Sequence, residues 1–123
     1  MADELLRRNT KQRQAILQQL REMHTHPTAG ELYRSVRRRL PRISLGTVYR
    51  NLDILTETGD VMKLASVDHE ARYDGNPHPH AHLQCQTCGR IDDLDLVVPA
   101  LNEFAQSEIR GYRIESYSLL FTG

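Results

Sequence analysis

The chain has 123 residues, of which 39% are apolar and none is tryptophan, so it has the size of one ordinary domain or two very small ones and can bury only a modest core. No apolar run approaches the roughly eighteen residues of a membrane span, and the N-terminus lacks the apolar segment of a secretory signal, so we expect a cytoplasmic protein. The net charge is zero, but the charges are unevenly distributed. Residues 1–63 contain 12 Lys and Arg against 7 Asp and Glu, and residues 64–123 contain 4 against 9. The basic half is suited to binding a polyanion, and the acidic half is suited to binding cations.

Three helices are predicted in the basic half. The first spans residues 10–24, where an apolar stripe recurs at helical spacing. The second follows Thr28, which can form a capping box with Glu31, carries Leu32, Val36 and Leu40 inward, and ends before Pro41. The third follows Ser44 as its cap and ends at Gly59. Its inner side is predicted to consist of Leu45, Val48, Leu52 and Leu55.

A hairpin is predicted after the third helix, from the strand-like runs Val61–Ala65 and Ala71–Tyr73. Three helices followed by a hairpin is the order of a winged helix-turn-helix, in which the third helix lies in the DNA major groove. An arginine-rich segment before that helix is suited to phosphates, and Arg and Tyr side chains can contact guanine and the thymine methyl group. The alternative is a solvated helix face that binds nothing. The candidate DNA-binding residues are Arg42, Ser44, Thr47, Tyr49, Arg50 and Asn51.

The acidic half contains the most unusual stretch, His78–Gly89, which holds three histidines and a Cys-x-x-Cys pair. Asp74 precedes it, and Asp92 and Asp93 follow it. Imidazole, thiolate and carboxylate groups are the ligands of borderline divalent metals, so the stretch predicts a metal site. A reactive dithiol and an inert loop are the alternatives.

The turn residues Asp74-Gly-Asn-Pro77 predict a joint between a DNA-binding domain at residues 1–74 and a metal-binding dimerisation domain at residues 75–123. In the second domain we predict strands at Ala81–Gln84, Arg90–Leu94 and Tyr112–Phe121. A helix is predicted from Pro99, with Leu101, Phe104 and Ile109 on its inner side. Three strands and one helix form a thin lobe, so we expect a homodimer.

Three segments in this order resemble the ferric uptake regulator superfamily of bacterial metalloregulators: Thr28–Tyr33, Ile43–Leu52 and His80–Gly89. The resemblance implies an α+β fold, with an N-terminal winged helix-turn-helix followed by a small α/β dimerisation domain. It also implies a homodimeric transcriptional repressor that binds double-stranded DNA at an inverted-repeat operator.

The resemblance further implies a regulatory metal that joins the two lobes. Its ligands, carried over by position, are His26, Asp74, His80, His82 and Asp93. Three imidazoles and two carboxylates suit Fe(II) or Mn(II) and can take Zn(II). Taken singly, each of these residues could instead be an ordinary loop, turn or surface residue.

Asp93 bears on the subtype, because iron-uptake members carry Glu at this position and peroxide-responsive members carry Asp. The resemblance therefore favours a peroxide sensor whose bound Fe(II) leads to oxidation of His26 or His80. An iron- or zinc-uptake regulator of the same family is the alternative.

Cys85 and Cys88 are candidates for a structural zinc site. Many family members complete such a site with a second, C-terminal cysteine pair, which this chain lacks, so either other ligands are recruited or the zinc is absent. A rival arrangement is a Cys₂His₂ site formed by His80, His82, Cys85 and Cys88.

Two functions of other classes fit the sequence less well. A zinc metalloenzyme of the deaminase type needs His-x-Glu and Pro-Cys-x-x-Cys, whereas Gln84 precedes Cys85 here. A thiol redox module needs its first cysteine at a helix N-terminus, whereas the pattern around Cys85 predicts a turn between two strands. We therefore expect a regulator and not an enzyme.

Overall fold

The computed structural model describes residues 10–66, 68–78, 80–96, 98–115 and 117–123. The chain divides into two compact units, of which the first ends at Pro77 and the second begins at His78. The predicted joint after Asp74 lies slightly earlier, because Asp74 is the last residue of a strand of the first unit and not a turn residue. Among the described residues, we find no helix that could serve as a membrane span.

The first unit contains the three predicted helices: α1 (Thr10–Glu22), α2 (Ala29–Val36) and α3 (Leu45–Glu57). Their apolar faces form one core together with Val61 and Tyr73. Helix α2 ends earlier than predicted, since the chain enters a turn at residues 37–39. Leu40 therefore lies beyond the helix, although it still packs against the core.

Side-chain caps fix where α2 and α3 begin. The Thr28 hydroxyl oxygen accepts from the Glu31 N–H at 3.2 Å, and the same hydroxyl donates to the Glu31 carboxylate at 3.1 Å. The Ser44 hydroxyl oxygen accepts from the Thr47 N–H at 3.1 Å. Each cap satisfies a helix N–H that has no partner inside the helix, which is why the sequence could locate both starts. Gly59, with φ of +81°, follows the end of α3 as predicted.

The predicted hairpin is present as strands β1 (Met62–Leu64) and β2 (Arg72–Asp74), which pair antiparallel. All three residues of β2 are buried. The first unit therefore has the predicted order of three helices followed by a hairpin.

Two predictions about α3 are wrong. Leu45, predicted to face the core, is 40% exposed, and Asn51, predicted to face solvent, is only 1% exposed. The buried stripe consists of Val48, Asn51, Leu52 and Leu55, which have the spacing of a single helix face. Asn51 lies inside because of its position three residues after Val48, despite its polar side chain.

The second unit contains β3 (Ala81–Gln84), β4 (Ile91–Leu94), helix α4 (Pro99–Phe104), β5 (Glu108–Ile109), β6 (Tyr112–Arg113) and β7 (Leu119–Thr122). Its main sheet has the order β4-β3-β7, in which β3 pairs antiparallel with β4 and parallel with β7. Helices and sheets together give the α+β class that was predicted.

The C-terminal part of this unit differs from the prediction. The expected strand Tyr112–Phe121 is two separate strands, β6 and β7, and Ile109 belongs to β5 instead of the inner side of a helix. Arg110 and Gly111, with φ of 54° and 83°, form the turn that joins β5 to β6. Two consecutive positive φ values are typical of a tight hairpin turn. The helix ends at Phe104, whose side chain is 53% exposed and not buried as predicted.

Candidate functional site

The first unit contains one pair of the predicted metal ligands, His26 and Asp74. His26 lies in the loop between α1 and α2, Asp74 ends β2, and both are buried. The His26 Nε2 atom is 3.7 Å from the Asp74 Oδ2 atom. The other oxygen of Asp74 accepts from the Asn76 N–H at 2.9 Å, which orients the carboxylate with Oδ2 on the histidine side.

The second unit contains the other three predicted ligands, His80, His82 and Asp93. Asp93 pairs with His82 across strands β4 and β3, and His80 lies just before β3. A single oxygen of Asp93 is 2.9 Å from His80 Nε2 and 3.4 Å from His82 Nε2. Two imidazole nitrogens and a carboxylate oxygen therefore converge on one point.

The ring of His80 is held in the orientation and tautomer that a metal ligand requires. Its Nδ1 atom lies 2.6 Å from the His78 carbonyl oxygen. A carbonyl can only accept, so Nδ1 carries the proton, and in the neutral ring Nε2 is the nitrogen left with the lone pair that a metal ligand needs. Hydrogen bonding of the non-ligating nitrogen to a carbonyl is common among metal-bound histidines. The donor set therefore fits a divalent cation such as Fe(II), Mn(II) or Zn(II).

Cys85 and Cys88 lie in the turn between β3 and β4, and both are free thiols. Hydrogen bonds from the backbone N–H groups of Cys88 and Thr87 lower the pKa of the Cys85 thiol. The buried Gln84 side chain donates to the Gly89 carbonyl at 2.8 Å and supports the turn. Among the described residues, neither cysteine belongs to a group of three or more convergent metal donors. The nitrogens of His80 and His82 face Asp93, and within the described residues they form no such group with the two thiols.

The exposed side of α3 carries most of the predicted DNA-binding residues. Arg50 donates to the Thr47 hydroxyl at 3.0 Å, and that hydroxyl is 2.9 Å from the Ser44 hydroxyl. Tyr49 is 46% exposed. Arg42 is exposed in the segment before the helix. This side of α3 therefore presents a guanidinium, a phenol and hydroxyls in one region, which are groups that can bind base edges and phosphates.

Asn51 does not belong to this surface. Its side-chain amide donates to the Thr47 carbonyl at 2.9 Å inside the unit, so the prediction that it lies on the exposed side of α3 is wrong.

Sequence reasoning also missed two residues that support the donor groups. The Asn76 N–H binds Asp74, and the Arg72 guanidinium lies 3.4 Å from the carbonyl oxygen of His26. The Asn76 contact could have been expected from the Asp-x-Asn turn. The Arg72 contact joins residues far apart in the chain, so no local pattern indicates it.

Comparison with known proteins agrees with the sequence resemblance. The model of the ferric uptake regulator family matches residues 5–122. The peroxide-responsive repressor PerR of Staphylococcus aureus is 39% identical, in an alignment that covers 91% of this chain and 79% of the relative.

Solved structures give the same result. A peroxide stress regulator of Campylobacter jejuni superposes with a TM-score of 0.81 at 31% identity, covering 98% of this chain and 90% of that one. A zinc uptake regulator of Mycobacterium tuberculosis has a TM-score of 0.55 at 31% identity, covering 94% and 91%. The chain therefore belongs to the ferric uptake regulator family.

Proposed function

We propose that this chain is a metal-dependent, DNA-binding transcriptional repressor that senses peroxide and acts as a homodimer on an inverted-repeat operator. The observation that carries the proposal is the convergence of His80 Nε2 and His82 Nε2 on one oxygen of Asp93. The chain belongs to a family of transcriptional regulators and not of enzymes, so we assign this donor group to metal sensing and not to catalysis.

The proposed regulatory site holds one Fe(II) or Mn(II) ion through donors of both units. The first unit offers a histidine and an aspartate, and the second offers two histidines and an aspartate. Neither group alone approaches the six ligands that octahedral ions take. An ion that takes ligands from two units restricts their relative movement, and by linkage DNA and metal then strengthen each other's binding.

The proposed DNA surface is the exposed side of α3 together with Arg42. Arg50 and Tyr49 are the candidates for base contacts, and Arg42 is a candidate for a phosphate contact. The Thr47 hydroxyl, which is itself bonded to the Ser44 hydroxyl, holds Arg50 on the surface of the helix and so reduces the entropy that this long side chain would lose on binding.

Peroxide sensing is proposed from Asp93 and from the relatives named as peroxide-responsive. When bound, Fe(II) would promote cleavage of the O–O bond of hydrogen peroxide close to its ligands, so that one histidine gains an oxygen atom while the peroxide is reduced to water. His26 and His80 are the side chains that we expect to be oxidised. His80 is the more exposed of the two, so peroxide can reach it from solvent.

The DNA-binding test is fluorescence anisotropy with a labelled inverted-repeat duplex, with and without Mn(II). We expect Mn(II) to tighten binding by wild type and by His24→Ala, and to have no effect on His26→Ala. His24 is a matched control, because it lies in the same loop and is exposed. Equal metal responses in the two variants, or binding that ignores Mn(II) in wild type, would contradict the proposal.

The peroxide test uses protein loaded with Fe(II) without air, treated with hydrogen peroxide and digested for mass spectrometry. One added oxygen on the His26 or His80 peptide, with loss of DNA binding, supports peroxide sensing. Metal-dependent DNA binding without that modification indicates a metal-uptake regulator instead.

A further inference from the structure

The loop that carries His26, residues 23–28, is attached to strand β2 by backbone hydrogen bonds. The Tyr73 N–H donates to the Pro27 carbonyl at 2.9 Å, and Thr28 forms an antiparallel bridge with Arg72. The loop and β2 therefore share a backbone register, although they are far apart in sequence. Since β2 ends at Asp74, the two metal donors of the first unit are held through this one strand.

His26 itself adopts a conformation that few residues tolerate. Its φ is 51°, in the left-handed region, where a side chain crowds the following carbonyl oxygen. Such conformations persist where surrounding contacts hold them, and they are concentrated at functional sites. The orientation of the His26 ring thus depends on groups that hold the peptide units on either side of it.

The Arg72 guanidinium is placed to hold one of those peptide units. Its Nη1 atom is 3.4 Å from the His26 carbonyl oxygen and 3.6 Å from the Glu31 carboxylate of α2. Its Nη2 atom is 3.9 Å from the Asp68 carboxylate in the turn between β1 and β2. The arginine side chain is only 10% exposed, so these acceptors act on a cation that is largely removed from water.

We propose that Arg72 is a positioning residue for the metal site, which holds His26 in its left-handed conformation by donating to the His26 carbonyl. The inference rests on the proposed role of His26 as a metal ligand. The carboxylates of Glu31 and Asp68 keep the guanidinium oriented. Its hydrogen bond to the His26 carbonyl fixes the peptide unit that follows His26. A lysine at this position could not contact all three acceptors in the same way, because an ammonium is a compact charge without the planar fork of arginine.

The test measures Mn(II) affinity by calorimetry in wild type, Arg72→Met, Arg72→Lys, His26→Ala and the double variant Arg72→Met/His26→Ala. Loss of a group that supports a metal ligand typically weakens metal binding by about tenfold or more, and we expect that for Arg72→Met. Arg72→Lys should lie between Arg72→Met and wild type. In the His26→Ala background, Arg72→Met should have no further effect, since its role is exercised through His26.

Arg39→Met is the control, because Arg39 forms an exposed ion pair with Glu22 at 3.1 Å in the same unit. Its Mn(II) affinity should equal that of wild type. Thermal unfolding of each metal-free variant provides a readout that does not involve the metal. Should Arg72→Met fail to fold, Arg72→Lys and its double variant with His26→Ala supply the same comparison.

An Arg72→Met effect of equal size with and without His26 would overturn the proposal, because it would show general destabilisation instead of positioning. Unchanged affinity in Arg72→Met would overturn it as well. If His26→Ala alone leaves Mn(II) affinity unchanged, the proposed ligand role of His26 fails and the role of Arg72 fails with it. That result is distinct from a failure of Arg72 alone, in which His26→Ala still weakens Mn(II) binding but Arg72→Met does not.

Discussion

Arg50, Asn51 and Leu52 are consecutive residues of α3 that lie in three different environments. Their alanine variants should therefore differ in stability and in operator affinity. Arg50 is exposed and bonds the Thr47 hydroxyl, Asn51 is 1% exposed, and Leu52 is fully buried in the core. We consider the alanine variants of all three, measured for stability and for operator binding.

The expected sizes follow from these environments. Arg50→Ala should weaken operator binding by about 1–3 kcal/mol, the usual worth of a base contact, and should change stability by less than about 0.5 kcal/mol. Leu52→Ala removes a buried side chain and should cost about 2–5 kcal/mol of unfolding free energy.

Asn51→Ala is the informative case. It removes the amide bond to the Thr47 carbonyl, a loss of about 0.5–1.5 kcal/mol. It also removes a buried Oδ1 atom that has no hydrogen-bond partner among the described residues, whose burial costs about 1–3 kcal/mol. Alanine has in addition the higher helix propensity. These effects oppose each other, and the two ranges combine to between a loss of about 0.5 kcal/mol and a gain of about 2.5 kcal/mol, so Asn51→Ala should not be strongly destabilised.

Urea denaturation gives the free energy of unfolding, and anisotropy with Mn(II) gives the operator affinity. We expect only Arg50→Ala to bind the operator more weakly under conditions where all three variants are folded. A loss of operator affinity in Asn51→Ala equal to that of Arg50→Ala would contradict the conclusion that Asn51 packs inside the unit and lies outside the proposed DNA surface. A stability loss in Asn51→Ala as large as in Leu52→Ala would refute the opposition of its two hydrogen-bonding effects.

Three further predictions concern stability. Ser44→Ala removes the cap of α3 and should cost about 1 kcal/mol in denaturation experiments, whereas Ser44→Asp should retain most of the wild-type stability. Gly59→Ala places a side chain at φ of +81° and should cost about 1–2 kcal/mol, measured in the same way. The Ser66 hydroxyl, the Glu70 N–H and Arg72 lower the pKa of Asp68 below its usual 3.8, so its ionised form stabilises the fold at neutral pH and this stability is lost as the pH falls below that value. Asp68→Asn should therefore be less stable than wild type at pH 7, with a difference that disappears in acid titrations.

The elements that sequence predicted well are those determined by local chemistry. The caps Thr28 and Ser44 and the terminator Gly59 act within one helical turn, so their patterns locate helix ends directly. The errors have two causes. Asn51 is buried by the packing of the whole helix face, which overrides its polarity. The turn at Arg110 and Gly111 needs two positive φ values, and a single glycine does not reveal that its neighbour shares them.

The donor groups were predictable to different degrees. His82 and Asp93 lie on neighbouring strands and His80 lies just before β3, so alternation along the chain and the pairing of β3 with β4 bring the three together. The pairing of His26 with Asp74 was predictable only from family resemblance, because the loop and β2 are far apart in the chain. No sequence pattern predicts the contacts of Arg72, because its three acceptors come from three separate segments of the chain.

The central claim is that one metal ion is bound by donors of both units. Titration of Mn(II) into wild type, His26→Ala, His82→Ala and the double variant tests it directly, with the number of bound ions per chain as the readout. We expect one high-affinity ion per chain in wild type, strong loss of affinity in each single variant, and a loss in the double variant that is smaller than the sum of the two. Two ions per chain, each lost in a different single variant, would contradict the claim.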